Sequence, residues 1–197
     1  MPGKHEEAHK EHINKYKMAH MIGVAEYMRE RAEDYNNGFC NGSEPIRIDP
    51  NEAYVVGLLH DIGYIEGRSD HEAIGADLLT GMGLRGDLLD AIRYHGTNPY
   101  EIEASLGRTN EDGTDVIPPI MVLLYEADMS IDIQGYRVGF DKRLKDIAAR
   151  NMGTPYEEAA ISTSTATVRY VKEWQAEHGV DKPAPGFWHK HSHTHER

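Results

Sequence analysis

Along most of the chain apolar residues recur at helical spacing, and several of the inward-facing positions carry a histidine or an aspartate instead of a hydrocarbon. Ile13, Tyr16, His20, Val24 and Tyr27 predict a long amphipathic helix over residues 5 to 33 with His20 on its apolar face. Asp49, Pro50 and Glu52 supply an N-cap, a proline at N1 and an acid at N3 for a second helix, on which Ala53, Val56, Leu59 and His60 share a side and which Gly63 and Gly67 end. Ser69 and Glu72 form an S-x-x-E capping box before a short helix with His71, Ile74 and Leu78 on one face, closed by Gly81 and Gly83. From about residue 86, Leu88, Ile92 and His95 align, with Gly96 as a C-terminal glycine. Pro118 and Pro119 open a helix that puts Met121, Leu124, Asp128 and Ile131 on one face, and two more helices follow, over about 140–150 and 155–176. Residues 34–48 and 97–114 read as polar connections. With no alternating strand pattern and no internal repeat, the expected fold is an all-α bundle.

The 197 residues suit one compact domain, taken as residues 1–178, followed by a peripheral tail over 179–197 that holds Pro183, Pro185, His189, His191, His193 and His195. No apolar run approaches the roughly 20 residues of a membrane helix, and residues 1–10 lack the apolar stretch of a secretory signal, so neither membrane nor export is expected. Cys40 is the only cysteine, which excludes an internal disulfide and a cysteine-based zinc site and suits a reducing cytoplasm. A formal charge of −12 argues against binding a nucleic-acid polymer, which is held by clustered Lys and Arg. Phe187 and Trp188 in the tail would suit docking on the domain or on a second copy of the chain.

Histidine is the compositional outlier, with 12 copies. His5, His9, His12 and the tail histidines read as solvated polar positions. His20, His60, Asp61, His71, His95 and Asp128 do not, because they come from five predicted helices or their ends and mostly occupy apolar faces. A carboxylate in a low-dielectric core loses its hydration without return unless it is paired or bound to a metal. Adjacent residues such as His60 and Asp61 point apart on a helix, so both reach one metal only where the helix is ending, as Gly63 permits. Four imidazoles and two carboxylates exceed the needs of one zinc ion and suit two octahedral ions with open water positions.

An isolated helical His20, then His60-Asp61 within Leu58-Leu59-His60-Asp61-Ile62-Gly63, then a distant Ala127-Asp128, resembles the signature of the HD superfamily of metal-dependent phosphohydrolases. Asp70-His71-Glu72-Ala73-Ile74-Gly75-Ala76 and Ile92-Arg93-Tyr94-His95-Gly96 resemble the second-metal segments of its six-ligand, dinuclear, HDIG-like members. The resemblance covers about residues 15 to 135. It implies a compact HD-domain helical bundle with two divalent ions. His20, His60, Asp61 and Asp128 would hold the first ion and Asp61, His71 and His95 the second, with Asp61 central to catalysis. Iron or manganese suits the mixed imidazole and carboxylate set best, with zinc, nickel, cobalt or magnesium as alternatives.

The implied reaction is attack of a metal-activated water on a phosphoester or phosphoanhydride of a small nucleotide-like substrate. Arg68 and Arg93 are the candidate phosphate contacts. Many hydrolytic members carry a lysine three residues after the HD pair, where this chain has Tyr64, a candidate substrate contact that can donate a hydrogen bond but cannot offset charge. Two rival readings keep the fold: a dinuclear iron oxygenase of the same superfamily, and a metal-binding sensory module without catalysis.

Overall fold

The computed structural model describes residues 4–37, 46–65, 70–84, 86–111 and 115–180, with side chains described from Lys17 onward in the first helix. Arg68, Gly67, Ser69, the turn over residues 38–45, the tail beyond residue 180 and the side chains of His5, His9 and His12 lie outside the described residues.

The described chain is helical, in the order α1 (Lys4–Asn36), α2 (Pro50–Leu59), α3 (His71–Gly81), α4 (Asp87–Tyr94), α5 (Pro99–Leu106), α6 (Pro119–Asp128), α7 (Phe140–Asn151) and α8 (Glu157–Glu177), with a 3₁₀ turn over Ile62–Ile65. Among the described residues extended pairing is limited to two isolated bridges, Thr109 with Asp115 and Ile131 with Arg137. The all-α bundle expected from the sequence is what the chain forms. Helix α6 is its axis. Every residue from Ile120 to Ala127 is buried, so this helix is enclosed on all sides rather than along the single stripe expected of Met121, Leu124 and Asp128. Helices α1, α2, α4 and α8 pack around it, α3 lies on α4 and on the 3₁₀ turn, and α7 lies on α8. Helix α1 contributes Val24, Tyr27, Met28, Ala32 and Tyr35, all nearly inaccessible to solvent.

Several local expectations hold for the stated reason. The Asp49 carboxylate caps α2 by accepting from the Asn51 backbone amide, with Pro50 in the first turn. Others are corrected. Helix α3 is capped at Asp70 in a left-handed conformation (φ 58°) with no side-chain cap bond, so the capping box ascribed to Ser69 and Glu72 is not how it starts. Its inward face is Gly75, Ala76 and Leu79, while Leu78 is 42% exposed. The polar connection expected over 97–114 contains α5, whose start repeats the α2 pattern: Asn98 accepts from the Tyr100 amide, Pro99 follows and Glu101 lies in the first turn.

Helices α2 and α4 end before Gly63 and Gly96 as expected, but neither glycine adopts a positive φ. Gly63 is a contact point, because a Cβ there would lie 1.9 Å from the His71 carbonyl oxygen and 2.7 Å from the Gly75 amide nitrogen. The missing side chain lets the 3₁₀ turn that follows Asp61 press directly on the start of α3, which brings His71 up to Asp61.

Candidate metal centre

The structure gathers His20 from α1, His60 and Asp61 from the end of α2, His71 from the first residue of α3, His95 from the end of α4 and Asp128 from the end of α6. The imidazoles run in a chain, with ring centroids 5.4 Å apart for His20 and His60, 5.1 Å for His60 and His95, and 5.3 Å for His95 and His71. His60 is 1% exposed, His20 5%, Asp61 7% and His95 9%, which makes this a set of polar groups withdrawn from water. The Asp128 side chain keeps 27% exposure and so lies at the rim rather than fully in the core as expected.

Three of the imidazoles are held the same way. Nδ1 of His60 donates to the Gly57 carbonyl at 2.8 Å, Nδ1 of His95 to the Ile92 carbonyl at 2.7 Å, and Nδ1 of His20 to the Asp132 carbonyl at 3.1 Å. His71 has no such carbonyl partner among the described residues; its Nδ1 instead lies 3.1 Å from Oε2 of Glu72. A carbonyl oxygen can only accept, so Nδ1 of His20, His60 and His95 carries a proton, which leaves Nε2 as the atom that faces the centre and can ligate once it is unprotonated. There the Nε2 atoms meet carboxylates: His20 Nε2 lies 2.9 Å from Asp128 Oδ1, within hydrogen-bond reach, His71 Nε2 3.2 Å and His95 Nε2 3.5 Å from Asp61 Oδ1, and His60 Nε2 3.7 Å from Asp61 Oδ2. Asp61 thus turns one oxygen towards His71 and His95 and the other towards His60.

The donor set fits a divalent cation. His60 Nε2 is buried and has no hydrogen-bond partner, and the imidazole nitrogens and carboxylate oxygens that converge around it are the donor types a divalent cation takes. Burial pushes the His60 pKa down to about 4, which keeps the ring neutral and able to ligate near pH 7. Burial works against ionising Asp61, but His60, His71, His95 and Lys17 outweigh it and hold its carboxyl well below the usual range. Asp128 follows the same balance, with His20 and Arg143 overcoming burial. Three overlapping groups have ligand atoms close enough to share an ion: His20, His60 and Asp128; His60, Asp61 and His95; and His71, Glu72 and His95.

The model of the HD domain family matches residues 18–130, more than half of the chain and a span that holds all six of these residues. The chain belongs to the HD domain family. Comparison with curated proteins gives no match, and neither does comparison with solved structures. Most HD domains are metal-dependent hydrolases, which is the broad class this metal centre suits.

The substrate candidates divide. Tyr64 lies at the centre, stacked on His71 with ring centroids 3.9 Å apart. Arg93 is not drawn in; its guanidinium donates to Asp77 at 2.8 Å across α3 and α4. Three contributors were not anticipated. Lys17 donates to Asp61 Oδ2 at 3.1 Å and its ammonium lies 3.1 Å from the Tyr64 ring centroid. Burial lowers the Lys17 pKa, with the Asp61 charge acting in the opposite sense. Arg143 of α7 donates to both the carboxylate and the backbone carbonyl of Asp128, at 3.2 and 3.1 Å. Glu72 is the third. Lys17 was legible, being three residues before His20 and so on the same helix face. Arg143 carries no local signal, because only the packing of α7 brings it to Asp128.

Proposed function

We propose that this HD domain protein is a phosphohydrolase that cleaves a phosphoester or phosphoanhydride of a small, nucleotide-like substrate. His20, His60, Asp61 and Asp128 hold one divalent ion and Asp61, His71 and His95 a second, iron or manganese suiting the donors best. The observation that carries this reading is the unpartnered, buried Nε2 of His60, set among imidazoles whose Nδ1 atoms are already engaged and beside a carboxylate that faces two ways. When bound, such a pair of ions supplies an acidified water and offsets the charge on phosphoryl oxygens.

The protein's own residues do the remaining work. Asp61 ties the two halves of the centre together through its two oxygens. Arg143 donates to Asp128 Oδ1, the same oxygen that faces His20, and so fixes the carboxylate. Lys17 supplies a cation above Tyr64, the position where a lysine was expected from the resemblance. Once Asp61 is engaged by metal, the Lys17 ammonium loses its present partner and is left to meet an anionic substrate, a role first assigned to Arg68 and Arg93.

The test is a phosphate-release screen over nucleotides, dinucleoside polyphosphates and sugar phosphates, with the full chain loaded with manganese or with ferrous iron. Release is expected, and Asp61→Ala is expected to abolish it together with metal uptake. Oxygen uptake coupled to substrate loss under ferrous iron would replace hydrolysis by oxygenase chemistry. Protein that neither carries nor takes up a divalent ion would remove catalysis altogether.

A further inference from the structure

Three of the four central histidines are oriented by backbone carbonyls, from Gly57, Ile92 and Asp132. His71 alone is oriented by an ionisable side chain. Glu72 Oε2 lies 3.1 Å from His71 Nδ1, on the ring edge away from Asp61, while His71 Nε2 faces Asp61 Oδ1 at 3.2 Å. The same carboxylate reaches its other oxygen towards Gly96, just after His95, where an added Cβ would lie 2.1 Å from Glu72 Oε1. Gly96 has no positive φ to explain it, so the open space beside it serves the approach of Glu72.

We propose that Glu72 is the positioning residue of the second metal ion, acting through His71, and that Gly96 is the glycine that admits it. The inference rests on the two-ion reading above. A carboxylate behind a ligating imidazole fixes its tautomer, aims Nε2 and raises its basicity, and loss of such a partner typically weakens metal binding about 10–100-fold. The two halves of the centre are therefore unequal. His20 and His60 are held by the backbone and answer only to unfolding, whereas the hold on His71 is a side chain that one substitution can remove. Helix α3 explains the choice. As its first residue, His71 lacks the preceding helical turn whose carbonyls receive Nδ1 of His60 and His95, each three residues back.

The experiment is a titration of the metal-free full chain with manganese, read by equilibrium dialysis and elemental analysis, beside ¹⁵N correlation spectra of the histidine rings in the metal-free protein. The wild-type chain is expected to take two ions and to hold His71 as the Nδ1–H tautomer. Glu72→Ala should retain one ion at wild-type affinity, weaken the other about 10–100-fold and mix the His71 tautomers. Gly96→Ala should do the same without altering Glu72, by displacing its carboxylate. Glu72→Gln keeps an accepting oxygen and should fall between, which also covers the case in which the alanine variant fails to fold. Two ions at wild-type affinity in Glu72→Gln and Gly96→Ala would overturn the proposal. A wild-type chain that takes fewer than two ions would overturn it as well, and that result, unlike the first, marks the two-ion reading as the point of failure.

Discussion

Helices α1 and α6 meet twice through charged groups, at Glu126 and at Asp128, and the two meetings are built differently. At Glu126, which is 2% exposed, the carboxylate oxygen Oε1 accepts from the Tyr27 hydroxyl at 2.9 Å and from two nitrogens of Arg31, at 3.2 and 3.1 Å. Arg31 is permanently charged, lies 3% exposed and is further paired with Asp34. At Asp128 the α1 partner is His20, a group that can give up its proton, and the neighbouring side chains are further imidazoles and Asp61. The first meeting carries its own permanent cation, Arg31, on Oε1, although Glu126 Oε2 is also buried without a hydrogen-bond partner. The second gathers four imidazoles and two carboxylates with Lys17 and Arg143 as its cations, and its unpartnered buried atom, His60 Nε2, is one that can ligate a metal. Burial alone therefore does not mark a site; burial of converging ligand atoms does.

The largest expected effect tests the first meeting. Glu126→Ala takes from the buried Arg31 its buried carboxylate partner, and removing one member of a buried pair costs about 3–5 kcal/mol, a large part of a domain's roughly 5–15 kcal/mol. Urea unfolding should show the midpoint fall accordingly, while manganese uptake per folded chain is unchanged. Asp61→Ala should do the reverse, abolishing uptake and changing metal-free stability by less than about 2 kcal/mol. If both variants lose metal to the same extent, the distinction between the two meetings fails.

Lys17 comes next, and it sharpens the point about fixed cations. Its ammonium is the one at the centre that Tyr64 underlies, and its side chain is 25% exposed, so it can move with the substrate. A charge-assisted hydrogen bond to phosphate contributes about 1.5–3 kcal/mol, so Lys17→Ala should lower kcat/KM by roughly 10–100-fold, with stability little changed. Because the Lys17 ammonium lies directly over the ring of residue 64, Tyr64→Lys should restore much of the loss in the Lys17→Ala background. Equal kcat/KM in wild type and Lys17→Ala would return the phosphate contact to Arg68 or Arg93.

Periodicity made the bundle readable and marked His20, His60, His95 and Asp128, because a histidine or aspartate on an apolar helix face violates the rule that surrounds it, whereas Asp61 came from the resemblance of the His60-Asp61 pair. Capping chemistry was readable where it was local, as at Asp49 and Pro50, and the same Asn-Pro-x-Glu pattern at Asn98 would have revealed α5 had it been read the same way. What periodicity cannot carry is proximity between helices. Gly63 and Gly96 looked like helix ends, yet each is a place where another segment approaches, the start of α3 for one and Glu72 for the other. Glu72 looked like a cap and instead backs His71. Arg143 is met only because α7 folds back along α8 to Asp128.

The smallest effect concerns a pair that imitates the site without being one. His178 places Nε2 3.3 Å from Asp115 Oδ2 and donates from Nδ1 to the Trp174 carbonyl at 2.8 Å, the same pattern as His20, but its ring stacks on Trp174 at 3.9 Å and among the described residues no other imidazole converges on it. Burial lowers the His178 pKa, and the bond to Asp115 more than reverses that, so the value lies above the ordinary one. Asp115 is held below its ordinary value, first by His178. A raised histidine stabilises fully below its unfolded pKa of about 6.5 and loses that contribution as pH rises through the folded value. A depressed aspartate stabilises above about 3.9 and loses it as pH falls through its folded value. Both contributions are therefore present between about pH 4 and 6.5. His178→Ala should lower Tm most in that window, by an amount corresponding to about 1 kcal/mol or less for a part-exposed pair, and the gap should narrow towards pH 8 or above. Manganese uptake should not change. A loss of metal in this variant would mean that a histidine with one carboxylate partner is enough to make a site here, and the contrast drawn between α1's two meetings with α6 would no longer locate the metal centre.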